Sequence, residues 1–157
     1  IDTSQITDMS RLFWMTRFRG DISQWDVSSV KYMEAMFFGS SFNGDIGDWN
    51  TGNVINMYYM FTRSDFNGDI GNWDTKNVVN MDHMFSESSF NKDISGWNIS
   101  RVTSMESIFF FFKSYSGNLW SWIRQRPDLL PELRKYLKEE QLQLVNRWIE
   151  YNDRPNQ

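Results

Sequence analysis

The sequence predicts an α/β solenoid: a stack of 24-residue strand–turn–helix units with an all-helical C-terminal cap. Three observations lead there. Trp25, Trp49, Trp73 and Trp97 recur every 24 residues, as do Ile22, Ile46, Ile70 and Ile94. Phe18, Phe42, Phe66 and Phe90 keep the same beat, and so do Met9, Met33, Met57, Met81 and Met105, each with a Phe four residues on. Two apolar periodicities alternate inside each unit, and the beat stops near residue 113, where a different pattern takes over. A unit this short cannot bury its apolar stripe alone, so neighbours must stack.

Taken in chain order, the first unit opens at Ile1 in the Trp slot and lacks its strand, so a preceding segment and an N-terminal cap are expected. In each full unit, a stretch such as "FNGDI" puts Phe42 and Ile46 on one side of an extended segment, with Asn43 and Asp45 opposite. Gly, Asn and Ser then supply a turn that carries the Trp. "VINMYYMF" follows, with Val54, Met57, Met60 and Phe61 spaced i, i+3, i+6, i+7, the pattern of one face of a short helix. Strands stack about 4.8 Å apart and helices need roughly 8–10 Å, so the array is expected to curve with its strands inside. Residues 1–113 form the repeat region, about four and a half units, and 114–157 the cap. There "PDLLPELRKYLKEEQLQLVNRWIEYN" reads as two helices. Asp128 is the expected N-cap, Leu133, Tyr136 and Leu137 one face, and Leu142, Val145, Trp148 and Ile149 the other. Apolar residues invade variable slots at both ends of the array: Trp14 and Met15 first, Phe110, Phe111 and Phe112 last.

The consensus W-D/N-T-x-N-V-x-N-M-x-x-M-F-x-x-S-S-F-N-x-D-I-x-x-W resembles the bacterial surface-protein repeat of about 25 residues related to BspA-like leucine-rich repeats, found in mycoplasma lipoproteins and other surface proteins. The resemblance covers residues 1 to about 113. It implies a leucine-rich-repeat-like solenoid used for adhesion or protein binding at the cell surface or outside the cell, and it implies no catalytic residues.

Composition narrows the function. The formal charge of −4 is too weak and of the wrong sign for a nucleic-acid binder. No cysteine is present, hence no disulfide framework and no thiolate metal site. No apolar run approaches the roughly 18–20 residues of a membrane span. His83 is the single histidine and has no nucleophile or second ligand in register, so neither a catalytic constellation nor a histidine metal site is expected. The column Asp21, Asp45, Asp69, Asp93 stacks like charges, which suggests either calcium between units or carboxylates that accept backbone N–H bonds. One acid per unit is sparse for calcium, which favours the second. No cofactor is expected. A further column, Asp2, Asp26, Asn50, Asp74, Asn98, suits a turn role, and Asn43, Asn67 and Asn91 an asparagine ladder. The Trp column keeps step with the core Ile and Phe columns, which favours burial over a sugar-stacking platform.

The constant columns cannot encode specificity, because every unit spells them alike. The variable slots can. Ile55, Tyr58 and Tyr59 replace the polar residues expected on an exposed helix, and Phe38, Trp14 and Met15 extend the apolar trend toward the N-terminal end, with His83 beside it. Adjacent tyrosines and an isoleucine are typical of contact surfaces. The expected function is a non-catalytic protein-interaction module or adhesin that contacts a protein partner through these seven residues. The alternatives are a glycan-binding adhesin using exposed aromatics and a structural subunit buried in a larger assembly.

Overall fold

The computed structural model of the protein describes residues 1–111, 115 and 117–153. Residue Phe112 and the 113/114 boundary expected from the sequence lie outside the described residues. The predicted apolar columns point inward: Met33, Met57, Phe37, Phe61, Phe85, Phe42, Phe66, Phe90, Ile70 and Ile94 are fully buried in one continuous core, while Phe18 and Trp25 of the first unit are half-buried against it. Successive Phe37, Phe61 and Phe85 rings lie 5.4 and 5.7 Å apart and within 2° of parallel. The Phe42–Phe66–Phe90 column repeats at 6.3 Å, and Trp49, Trp73 and Trp97 at 6.4 and 6.3 Å. Each indole N–H donates to the isoleucine carbonyl of the preceding unit: Trp49 to Ile22, Trp73 to Ile46 and Trp97 to Ile70, at 2.9–3.1 Å.

The backbone that carries these columns is not the α/β solenoid of strand–turn–helix units, leucine-rich-repeat-like, that the periodicity predicts. Among the described residues the first helix begins at Trp120, and pairing between units is confined to isolated parallel bridges at Asp8, Tyr32, Asn56, Asn80 and Ser104. The segments predicted as helices are chains of overlapping turns. Met60 N–H donates to Met57 C=O, Thr62 to Tyr59 and Ser64 to Phe61, each an i→i−3 bond. The alternate N–H groups leave the unit altogether. Met57 donates to Asn80 C=O, Tyr59 to Asp82, Phe61 to Met84 and Arg63 to Ser86, at 2.9–3.0 Å. A helix would have bonded Phe61 N–H to Met57 C=O, so the neighbouring unit has displaced the intrahelical partner.

Positive φ makes that path possible. Arg11, Ala35, Tyr59, His83 and Ser107 form one left-handed column, and Met15, Gly39, Arg63, Glu87 and Phe111 a second, with φ between 51° and 61°. In the turn Met57–Met60 the third residue has positive φ and the second does not, the signature of a type II turn. Only Gly39 is the residue type such a position prefers, and the others carry a steric cost of about 1–2 kcal/mol each. Because the cost recurs in every unit, it belongs to the scaffold. Ser107→Gly is expected to stabilise the protein by about 0.5–1 kcal/mol, since its φ is 53° and its hydroxyl makes no hydrogen bond among the described residues. A rise in thermal midpoint checks it, and a fall would mean the left-handed path is unstrained.

The predicted strand "FNGDI" joins no ladder. Besides the Ile46 carbonyl that accepts the Trp73 indole N–H, it is tied to the next unit by the side chain of Asn43, which accepts Asn67 N–H at 2.8 Å, and Asn67 accepts Asn91 N–H likewise. The tightest ring spacing lies on the face predicted to be helical, so the expected narrowing toward a strand face is reversed. Glycine has a steric reason at Gly44 and Gly68, where a Cβ would stand 2.7–2.8 Å from the ring of Phe42 or Phe66.

At the C-terminal end the elements are α1 (Trp120–Gln125), α2 (Leu130–Leu133) and α3 (Glu139–Asn152), with 3₁₀ turns at Pro127–Leu129 and Arg134–Tyr136. They differ from the two helices read in the sequence. Asp128 pairs with Arg126 instead of capping a helix, and α3 opens with Gln141 Oε1 accepting the Lys138 N–H at 3.0 Å. The end of the stack is closed by side chains. Trp122 extends the indole column, 6.2 Å from Trp97, and donates to Ile94 C=O at 3.1 Å. Glu132 accepts Ser107 N–H at 2.8 Å, the bond that the carbonyl of Glu106 makes for His83 one unit earlier. Gln125 accepts Ile99 N–H and donates to Trp97 C=O. At the opposite end the carbonyls of Asp8, Ser10, Leu12 and Trp14 accept no backbone hydrogen bond among the described residues, whereas those of Tyr32, Glu34, Met36 and Phe38 accept from Met9, Arg11, Phe13 and Met15.

Candidate functional site

The turn segments of the first three units build an open groove of about 370 Å³ lined by Arg11, Trp14, Glu34, Ala35, Phe38, Tyr58 and Tyr59. Its members come from three adjacent columns. Arg11, Ala35 and Tyr59 occupy the left-handed column, Trp14 and Phe38 lie three residues further on, and Glu34 and Tyr58 just before it. Stacking at the unit spacing brings the rings together. Trp14 and Phe38 centroids are 6.3 Å apart, Phe38 and Tyr59 6.1 Å, and Tyr58 meets Tyr59 edge-on at 4.3 Å. Trp14 is 52% exposed, while Phe38, Tyr58 and Tyr59 are half-buried.

Arg11 and Glu34 form an ion pair at 3.2 Å along the groove. Being exposed, it contributes on the order of 0–1 kcal/mol to stability, and its value here is to fix polar groups beside the rings. Burial pushes the Tyr58 phenol above its ordinary range, helped by its hydrogen bond with Tyr59 and the charges of Asp82 and Glu34.

Four of the seven residues expected as a contact site, Trp14, Phe38, Tyr58 and Tyr59, meet in this groove. The other three do not line it. Met15 is 60% exposed and lies over Gly39, where its sulfur occupies the space a Cβ would need. His83 stacks beneath Tyr59 at 4.6 Å and 2°, with Nδ1 3.3 Å from Ser86 Oγ. Ile55 is half-buried and pairs through its backbone with Lys31 C=O. Arg11, Glu34 and Ala35, which are not among the seven residues expected as contacts, also line the groove. The signal was present as opposite charges at 11 and 34, one unit less one residue apart, which is the spacing of the Arg11 N–H to Glu34 C=O bond.

The carboxylate columns are engaged locally. Asp45 accepts Gly47 N–H at 3.0 Å, Asp69 accepts Gly71 N–H at 3.1 Å, and Asp21 and Asp93 accept Ser23 and Ser95 N–H at 2.9 Å. Those N–H bonds, with the serine hydroxyls, hold Asp21 and Asp93 below the ordinary aspartate range. Asp26, Asn50, Asp74 and Asn98 make the same Asx turns. Among the described residues no group of three or more His, Asp or Glu side chains is placed to hold a metal ion. Trp49, Trp73 and Trp97 are 4%, 3% and 0% exposed, so this column offers no face to a sugar. Among the described residues no helix is long and apolar enough to cross a membrane.

No curated protein and no solved structure matches the chain. A family model does, twice, over residues 1–65 and 62–129, which together span the stacked units and run on through α1. These matches cover the stacked units that build the groove, and the chain belongs to the family described as Mycoplasma protein of unknown function, DUF285.

Proposed function

We propose that the protein is a non-catalytic interaction module that takes an exposed side chain of a protein partner into the aromatic groove. One observation carries this reading: Trp14, Phe38, Tyr58 and Tyr59, all from slots that vary between units, converge on one open groove. Rigid aromatic rings with an adjacent polar pair are the composition of interface anchors. The carboxylates in the constant columns are held in turns, which supports a scaffold role for the repeat over chemistry. Kinship to BspA-like surface repeats, suggested by the consensus, belongs to the same reading, and with it a place at the cell surface.

The test is selection of a random-peptide display library on the protein, run beside a glycan array. Peptides enriched on the wild type should lose at least tenfold in affinity for a Tyr58→Ser/Tyr59→Ser variant that keeps its thermal midpoint within a few degrees. Enriched peptides that bind the variant equally well would refute the groove as the contact site. Glycan hits without peptide hits would replace the protein partner with a sugar.

A further inference from the structure

A second cavity, of about 360 Å³, lies in the C-terminal cap, away from the groove. Trp120 and Ile123 of α1 and Val145 and Trp148 of α3 form its walls, with Leu137 from the connection between α2 and α3. Trp120 and Trp148 meet edge-on at 5.9 Å. Leu144, also in the lining, is 57% exposed and marks the mouth. The volume and the apolar lining fall in the range of small-molecule sites, which carry a few placed polar groups. Here those groups are two amides, Asn118 and Gln141. Each has its oxygen committed: Asn118 Oδ1 accepts Trp120 N–H at 2.8 Å, and Gln141 Oε1 accepts Lys138 N–H at 3.0 Å. Each oxygen is turned toward a backbone N–H, and the NH₂ groups make no hydrogen bond among the described residues, which leaves them as donors for a ligand. No carboxylate lines the cavity among the described residues.

We infer that this cavity binds a small amphiphile: an apolar aryl or alkyl body against the tryptophan pair, Ile123 and Val145, with a hydrogen-bond-accepting carboxylate or carbonyl head on the Asn118 and Gln141 amides. A cationic or purely donating head meets, among the described residues, no carboxylate and only amide oxygens already accepting a backbone N–H, so the site favours an accepting head.

The experiment titrates the full chain with 4-phenylbutyrate and, separately, with 4-phenylbutylamine, following tryptophan fluorescence. Phenylbutyrate should bind saturably and the amine at least tenfold more weakly. Gln141→Glu preserves the oxygen that caps α3 but removes the donor, and should weaken phenylbutyrate at least tenfold. Leu144→Trp fills the mouth from an exposed position and should abolish binding, which keeps the test decisive if Gln141→Glu disturbs the cap. Absence of saturable binding, equal affinity for the amine, or binding that survives Leu144→Trp would each overturn the assignment.

Discussion

Replacing Trp73 with alanine is expected to destabilise the protein by roughly 3–5 kcal/mol. The ring is sandwiched in the indole column, 6.4 Å from Trp49 and 6.3 Å from Trp97, and also packs at 6.1 Å against Phe61. Its removal leaves a void between two rigid faces that the unit spacing prevents from closing, because the backbone bonds on either side fix that spacing. The Ile46 carbonyl also loses its donor inside the core, which moves the cost toward the upper end of the range. Urea denaturation of the two proteins measures the difference. A loss below about 1 kcal/mol would mean that the column is a surface platform.

Glu132→Ala is expected to cost roughly 2–3 kcal/mol by opening the C-terminal end of the stack. Its side chain, 15% exposed, accepts Ser107 N–H and the Tyr136 hydroxyl at 2.8 Å each and pairs with Lys135. Burial opposes its ionisation, but those three donors outweigh burial and hold the carboxyl below the ordinary glutamate range. A depressed folded-state value contributes stability that is fully present above the unfolded value, about pH 4.3, and is lost as pH falls through the folded one. The gap between wild type and Glu132→Gln should therefore shrink on acidification below about pH 4. A gap independent of pH over that range would show that the charge plays no part.

The inward-facing columns were legible in the sequence because burial is written directly in spacing: Val54, Met57, Met60 and Phe61 are all fully buried. The backbone beneath them was not. Spacing of i, i+3, i+6, i+7 reports where side chains point, and a run of type II turns with two left-handed residues per unit points them the same way a helix would. The left-handed positions hold Arg, Met, Ala, Tyr, His, Glu, Ser and Phe, none of which announces positive φ, and Gly39 alone hinted at it. In the groove, the aromatic members were visible as anomalies in variable slots. Arg11 and Glu34 looked ordinary, because their meaning depends on which residues of neighbouring units face each other.

The one-way direction of the turn-segment bonds, N–H of each unit to C=O of the next, has an electrostatic consequence. Ala35, Tyr59 and His83 donate forward to Tyr58, Asp82 and Glu106, while the carbonyls just before them, of Glu34, Tyr58 and Asp82, accept from the unit behind. Each of these peptide groups therefore points the same way along the stack, and their dipoles add from unit to unit as they do along a helix. The positive end of that summed dipole faces the C-terminal cap, where Glu132 sets a carboxylate against Ser107 N–H. The stack is thus polar along its length, and an anion terminates the end that favours one.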